Sequence, residues 1–226
     1  MSANEPYSLA DLPDRLPIFP LGGALLLPRA HLPLNIFEPR YLAMFNDALA
    51  SDRLIGMVQP DSEEALALQD VPTARPSVYE IGCAGRITAF AETDDGRMLV
   101  TLTGVARFRI VEEHPTVMPY RLCTVDFSPF ENDLERGLGE ADVDRERLLA
   151  AFRRYLDANS LEADWEAVGR SSTETLVNSL AILCPYPPPE KQVLLEAESL
   201  GRRADILIAL TEMHLAATDD GGARLQ

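Results

Sequence analysis

Lysine is almost missing: Lys191 is the only one in 226 residues, alongside one tryptophan, three histidines and three cysteines. A Ser-Lys peptidase would have to use Lys191 as its base, yet this residue follows the Pro187 to Pro189 corner on an amphipathic helix, where a lone charge is ordinarily solvated. The three cysteines, Cys83, Cys123 and Cys184, are odd in number and widely separated. They therefore form neither a disulfide framework nor a zinc-ligand cluster, and buried free thiols are expected. His31, His114 and His214 lie far apart without ligand-type neighbours at helical spacing, so no metal is expected.

Other absences narrow the field further. No G-x-x-x-x-G-K-[ST] phosphate cradle occurs, and Gly22-Gly23 reads as a turn. No run of Lys and Arg marks a nucleic-acid groove; the formal charge is −16 and neither half of the chain is basic, so phosphate backbones and anionic membranes are repelled on average. No apolar run reaches the roughly 20 residues of a membrane helix, and Met1 to Arg15 is unlike a secretory signal. A cytoplasmic protein is expected. Neighbouring acids such as Glu63-Glu64, Asp94-Asp95 and Glu112-Glu113 fall in expected loops and read as solvated charges. No catalytic, cofactor-binding or metal-ligating residue is assigned.

What is present is ordinary globular composition, 46% hydrophobic and 25% charged. From Leu16 to about Phe127 the chain reads as short strands with one helix. A hairpin is centred on Asp94-Asp95-Gly96, flanked by Thr88 to Glu92 and Met98 to Thr103. A half-buried strand follows at Val105 to Val111, with Arg107 and Arg109 on the face opposite Ala106, Phe108 and Ile110. Pro39 opens the helix, along which Tyr41, Leu42, Phe45 and Leu49 recur at helical spacing. Leu54 to Val58 reads as a buried strand, Asp61 to Pro76 as a polar loop, and Leu25-Leu26-Leu27 as a short buried strand.

Beyond Phe130 to Asp133 the apolar residues follow the helical period. Leu148, Leu149, Phe152, Tyr155 and Leu156 form one stripe, capped by Asp142 or Asp144; a second helix begins near Ser172 and ends before Pro185. Glu190 to Leu200 and Arg202 to Leu215 give two more, broken near Gly201.

The blocks Leu16 to Leu21, Leu32 to Tyr41, Gly82 to Ile87 and Thr103 to Ile110 resemble, in order and approximate spacing, the amino-terminal substrate-binding domain of Lon proteases. Leu180 to Leu183 and Glu190 to Glu196 resemble short bacterial proteins that consist of this domain alone. The resemblance implies a PUA-like β pseudobarrel followed by a helical bundle; with the change of pattern near Phe130 and the polar end Asp219 to Gly222, the chain is expected to be α+β, a pseudobarrel with one packed helix (1–128), a C-terminal α-helical bundle (129–217) and a disordered tail (218–226). Lon proteases continue into an ATPase and a peptidase; those activities are not carried over.

Two readings apply to the strongest block. Glu38 can cap the helix that starts at Pro39, Arg40 can fork to a carboxylate or carbonyl, and Tyr41 can bury its ring, so capping and packing account for every residue. The functional reading makes Phe19, Leu27, Ile36, Phe37, Glu38, Arg40 and Tyr41 a protein-binding surface. The expected partners are unfolded or extended protein segments, or a separate protease or chaperone, and no nucleic acid or membrane. RNA binding through the PUA-like shape, or a hydrolase whose site is assembled only by folding, are the alternatives. The segments Leu21 to Leu34 and Asp61 to Pro76 are the regions expected to offer such a surface.

Overall fold

The computed structural model describes residues 7–223 apart from 70 and 72, with side chains described to Ala216. Six strands make one sheet: β1 (Arg15–Pro20), β2 (His31–Ile36), β3 (Leu54–Val58), β4 (Ile81–Glu92), β5 (Met98–His114) and β6 (Arg121–Asp126). Their order is β2-β5-β4-β3-β1-β6, and β5 also pairs with β6, so five strands close on themselves. β2 is the appended sixth.

Closure depends on the length of β5. Its first half, Met98 to Thr103, pairs with β2, and its second half, Arg109 to His114, pairs with β6. β4 runs beside both halves, with register shifts at Ala84/Gly85 and Ile87/Ala89, and such bulges bend a strand. The Asp94 to Gly96 turn joins β4 and β5 as expected, with Gly96 at φ +79°. β1 and β3 are parallel, so a crossover must link them, and α1 (Pro39–Leu49) lies within it. Leu16, Ile18, Leu54, Ala84, Phe108 and Cys123 are among the side chains that fill the barrel. Burial, followed by the charge of Glu113, pushes the Cys123 thiol up to about 11.

By contacts the chain forms two units, 1–136 with 186–195, and 137–185 with 196–226. The chain thus passes between units at three places, after residues 136, 185 and 195. The second unit holds α3 (Arg145–Ala158), α4 (Trp165–Arg170), α5 (Thr173–Leu183) and α7 (Leu200–Ala223); α3 and α5 both pack on α7. Asp144 caps α3 by accepting from the Arg147 amide, and Ser172 caps α5 through Thr175. The expected α+β architecture, a β pseudobarrel with a packed helix and a helical C-terminal region, is present. Among the described residues no helix is long and apolar enough to cross a membrane.

Several local expectations need correction. The polar stretch from Asp61 contains a helix, α2 (Glu63–Leu68), because Ser62 caps it and Leu66 lies over Gly22, so closely that a Cβ on Gly22 would stand 2.1 Å from a Leu66 methyl. Leu25, Leu26 and Leu27 are buried but belong to no strand. The last two helices are separated at 197–199, not at Gly201: α6 (Pro188–Glu196) ends first, and Ser199 accepts from the Arg202 amide to start α7. The backbone of α7 continues to Ala223, and the remainder of the tail expected at 218–226 lies outside the described residues.

Two charged residues expected in solvent are buried. Lys191 on α6 is 8% exposed and donates from Nζ to the Gly23 carbonyl at 2.9 Å. Beside it, Gln59 Nε2 donates to Gln192 Oε1 at 3.1 Å, and Gln192 Nε2 donates to the Ile81 carbonyl at 3.1 Å. Arg107 is 4% exposed because the 3-10 turn Ser128–Leu134 covers its face of β5. Its Nε and Nη2 each meet an Asp133 carboxylate oxygen at 2.8 Å, and Nη1 donates to the Leu195 carbonyl at 3.0 Å.

Candidate functional site

The block Leu34 to Tyr41 leaves the sheet at Ile36 and enters α1 at Pro39, so its side chains are divided between inside and outside within six residues. Ile36 and Tyr41 are buried, whereas Phe37 is 62% exposed. Phe19, at the end of β1, lies under the start of the helix: its ring centroid is 4.3 Å from that of Tyr41 and 5.9 Å, edge-on, from Phe45. Such aromatic packing fixes the helix entry.

These residues surround a cavity of about 100 Å³, lined by Phe19, Leu34, Ile36, Phe37, Glu38 and Tyr41, with Gln69 closing one side. Five of the seven residues singled out from sequence, Phe19, Ile36, Phe37, Glu38 and Tyr41, therefore meet at one place. Arg40 adjoins it through its bond to Glu38, and Leu27, fully buried, does not line it. Leu68 and Val71, on either side of Gln69 in the chain, are 45% and 41% exposed. Of the residues lining the cavity, Phe37 supplies the exposed apolar ring.

The polar members of the block fix the start of α1. Glu38 precedes α1 but its carboxylate caps no amide; instead Arg40 Nε donates to it at 2.9 Å, contrary to the capping role expected from sequence. Arg40 Nη2 also donates to the Gln69 carbonyl at 2.6 Å, and its guanidinium lies 4.5 Å from the Tyr41 ring centroid. One side chain thereby ties the helix start to the segment after α2. The Glu38–Arg40 pair is only partly exposed, at 21% and 11%, so water screens it less than a surface pair.

At the other end of α1, Tyr120 donates its hydroxyl to Asp47 at 2.7 Å. Burial, and then this hydrogen bond to a carboxylate, push the phenol up to about 12. Above pH 10 the unfolded chain loses this proton while the folded chain retains it to about 12, so stability falls through that window. Tyr120→Phe is expected to reduce the loss of unfolding free energy between pH 9 and pH 11, measured by urea titration of both proteins.

Two of the histidines are at strand ends: His31 Nδ1 is 2.9 Å from the Thr103 hydroxyl and His114 Nε2 is 2.6 Å from the Thr124 hydroxyl. Among the described residues no three His, Cys, Asp or Glu side chains are grouped to hold a metal ion. The arrangement around α1 is one of apolar contact and fixed hydrogen-bond geometry. Sequence reasoning did not find Arg75 and Arg121, which line a neighbouring cavity with Arg40, because they come from segments far apart in the chain.

Comparison with known proteins gives this geometry a context. The chain is 28% identical over 198 residues to the Lon protease of Flavobacterium johnsoniae, and 25% identical over 211 residues to Lon protease 2 of Thermus thermophilus. These alignments cover 86% and 91% of this chain but 23% and 25% of those proteins, so the chain spans about a quarter of their length. Among solved structures, the Lon N-terminal domain protein from Xanthomonas campestris superposes with a TM-score of 0.59 at 22% identity, covering 86% of this chain and 97% of that one. The N-terminal domain of Mycobacterium avium complex Lon protease also gives 0.59, at 16% identity over 88% of this chain and 99% of that one. Both share its fold. With residues 15–212 matched, the chain belongs to the family of ATP-dependent protease La (LON) substrate-binding domains.

Proposed function

We propose that this chain captures unfolded or extended segments of other proteins on the surface around the start of α1, acting in the cytoplasm and without catalysis of its own. A separate protease or chaperone would receive what it captures. The observation that carries this reading is Phe37, a large apolar ring left 62% exposed beside a small apolar cavity, in a chain whose family is defined by substrate binding. Exposed aromatic side chains bordering a pocket are the usual anchors of protein recognition, because burying one on association gains about 1.5–3 kcal/mol. The net charge of −16 favours a protein partner over nucleic acid or an anionic membrane.

Phe37→Ala tests the surface. Its exposure predicts a folding effect within about 0.5 kcal/mol, whereas losing an interface anchor weakens binding by about tenfold. The measurement is fluorescence anisotropy of a labelled, permanently unfolded polypeptide titrated with the wild-type chain and the variant. Saturable binding that the variant loses supports the assignment. Equal affinity would move the contact elsewhere, and no binding by the wild type would sink the reading.

A further inference from the structure

A second cavity, of about 260 Å³, adjoins the first, since Pro20 and Tyr41 line both. Its apolar wall includes Ile18, Pro20, Tyr41 and Met118; its polar lining comprises Thr73, Tyr120 and three cations, Arg40, Arg75 and Arg121, with no carboxylate among the described lining residues. Three guanidiniums therefore gather in a chain of net charge −16. They are paired with two carboxylates: Glu38 with Arg40, and Glu113 with both Arg75 and Arg121.

The arginines differ in what they have left to give. Arg121 directs Nε and Nη2 to Glu113 and Nη1 to the Pro76 carbonyl at 2.7 Å, which fixes it in place. Arg75 meets Glu113 through Nη1 alone at 3.2 Å, and its side chain is half exposed. Its remaining donors make it the group best able to take an incoming anion.

We propose that this cavity holds the free carboxyl terminus of a captured protein, with an apolar last residue; the inference rests on the capture reading above. A chain end carries a carboxylate and a side chain on the same Cα, which matches a cationic rim set against an apolar wall. The volume suits one terminal residue and lies below the roughly 300–1,000 Å³ typical of sites for larger ligands. Because the two cavities share Pro20 and Tyr41, a segment lying along Phe37 can end among the arginines. Carboxylates bind guanidinium through charge-assisted hydrogen bonds, which are shorter and stronger than neutral ones.

Nonspecific electrostatics predict the opposite preference, since a chain of −16 repels a free acid more than its amide. That difference in sign makes the test decisive. Three labelled peptides of one apolar sequence are titrated with the full chain: one ending in a free carboxylate, one amidated, and one amidated with Asp at the penultimate position. The free acid is expected to bind about tenfold more tightly than the amide, the factor that one charge-assisted hydrogen bond at a half-exposed site supplies. Arg75→Gln is expected to erase that ratio while leaving the thermal midpoint unchanged. Amide binding as tight as the acid, or a ratio that survives Arg75→Gln, overturns the inference and leaves the capture reading intact. An Asp-bearing amide equal to the free acid overturns it in favour of acidic side chains. If neither these peptides nor an unfolded polypeptide binds, the capture reading falls and this inference falls with it.

Discussion

Asp133→Ala is expected to lower the unfolding free energy by about 3–5 kcal/mol, the range for removing one partner of a buried ion pair. Arg107 and Asp133 are 5% and 9% exposed in their side chains, so the guanidinium left behind has little access to water. Asp133 Oδ2 accepts from both Arg107 Nε and the Arg107 backbone amide, at 2.8 and 2.9 Å, and truncation orphans that amide as well. The Leu195 carbonyl still holds Nη1, and the Phe130 ring lies 4.7 Å from the guanidinium, but neither neutralises its charge. The double variant Arg107→Met with Asp133→Leu is expected to lose less than the single one, because it leaves no buried charge. It does not recover fully, since the strand amide still lacks its acceptor. Urea titration of the three proteins checks the order; a single-variant cost under about 1 kcal/mol would mean that water reaches the arginine.

This pair also shows which parts of the molecule can be read from sequence. Signals that act over a few residues were legible: Asp-Gly at 95–96 makes the β4–β5 turn, Pro39 opens α1, and Ser172 caps α5. Alternation placed Arg107 on the outer face of β5, which is correct for the strand alone. Its burial is decided by Asp133, 26 positions away, and by Leu195, 88 away, and no local pattern records either. Lys191 is the same case, since its acceptor is the Gly23 carbonyl 168 positions distant. Helix α2 was missed because six residues are too few to display an apolar stripe, although Ser62 followed by Glu63-Glu64 is a capping signal. At the candidate surface, Phe19, Ile36, Phe37, Glu38 and Tyr41 were within reach because most of them are consecutive. Arg75 comes from a loop and Arg121 from the start of β6 to line a cavity with Arg40, so only folding unites them.

Gly104→Ala is expected to cost about 3 kcal/mol, at the upper end of the range for over-packing a core. The new Cβ would stand 2.0 Å from the Leu27 carbonyl oxygen and 2.7 Å from its carbon, so relief requires moving backbone and not a flexible side-chain tip. That backbone is held: the Arg29 amide donates to the Gly104 carbonyl at 2.8 Å, the Gly104 amide donates to the Ala30 carbonyl at 2.9 Å, and Leu27 is fully buried. Gly96→Ala provides the contrast. Gly96 has φ +79° with nothing within 4 Å of an added Cβ, so alanine there meets only the conformational penalty, about 1–2 kcal/mol. Thermal or urea unfolding should therefore rank Gly104→Ala below Gly96→Ala, and equal costs would show that the Leu27 to Ala30 turn yields. Because Leu27 lies outside the Phe37 cavity, Gly104→Ala is expected to spare the affinity of the folded fraction for an unfolded polypeptide. A matching loss of affinity would instead tie Leu27 to the binding surface.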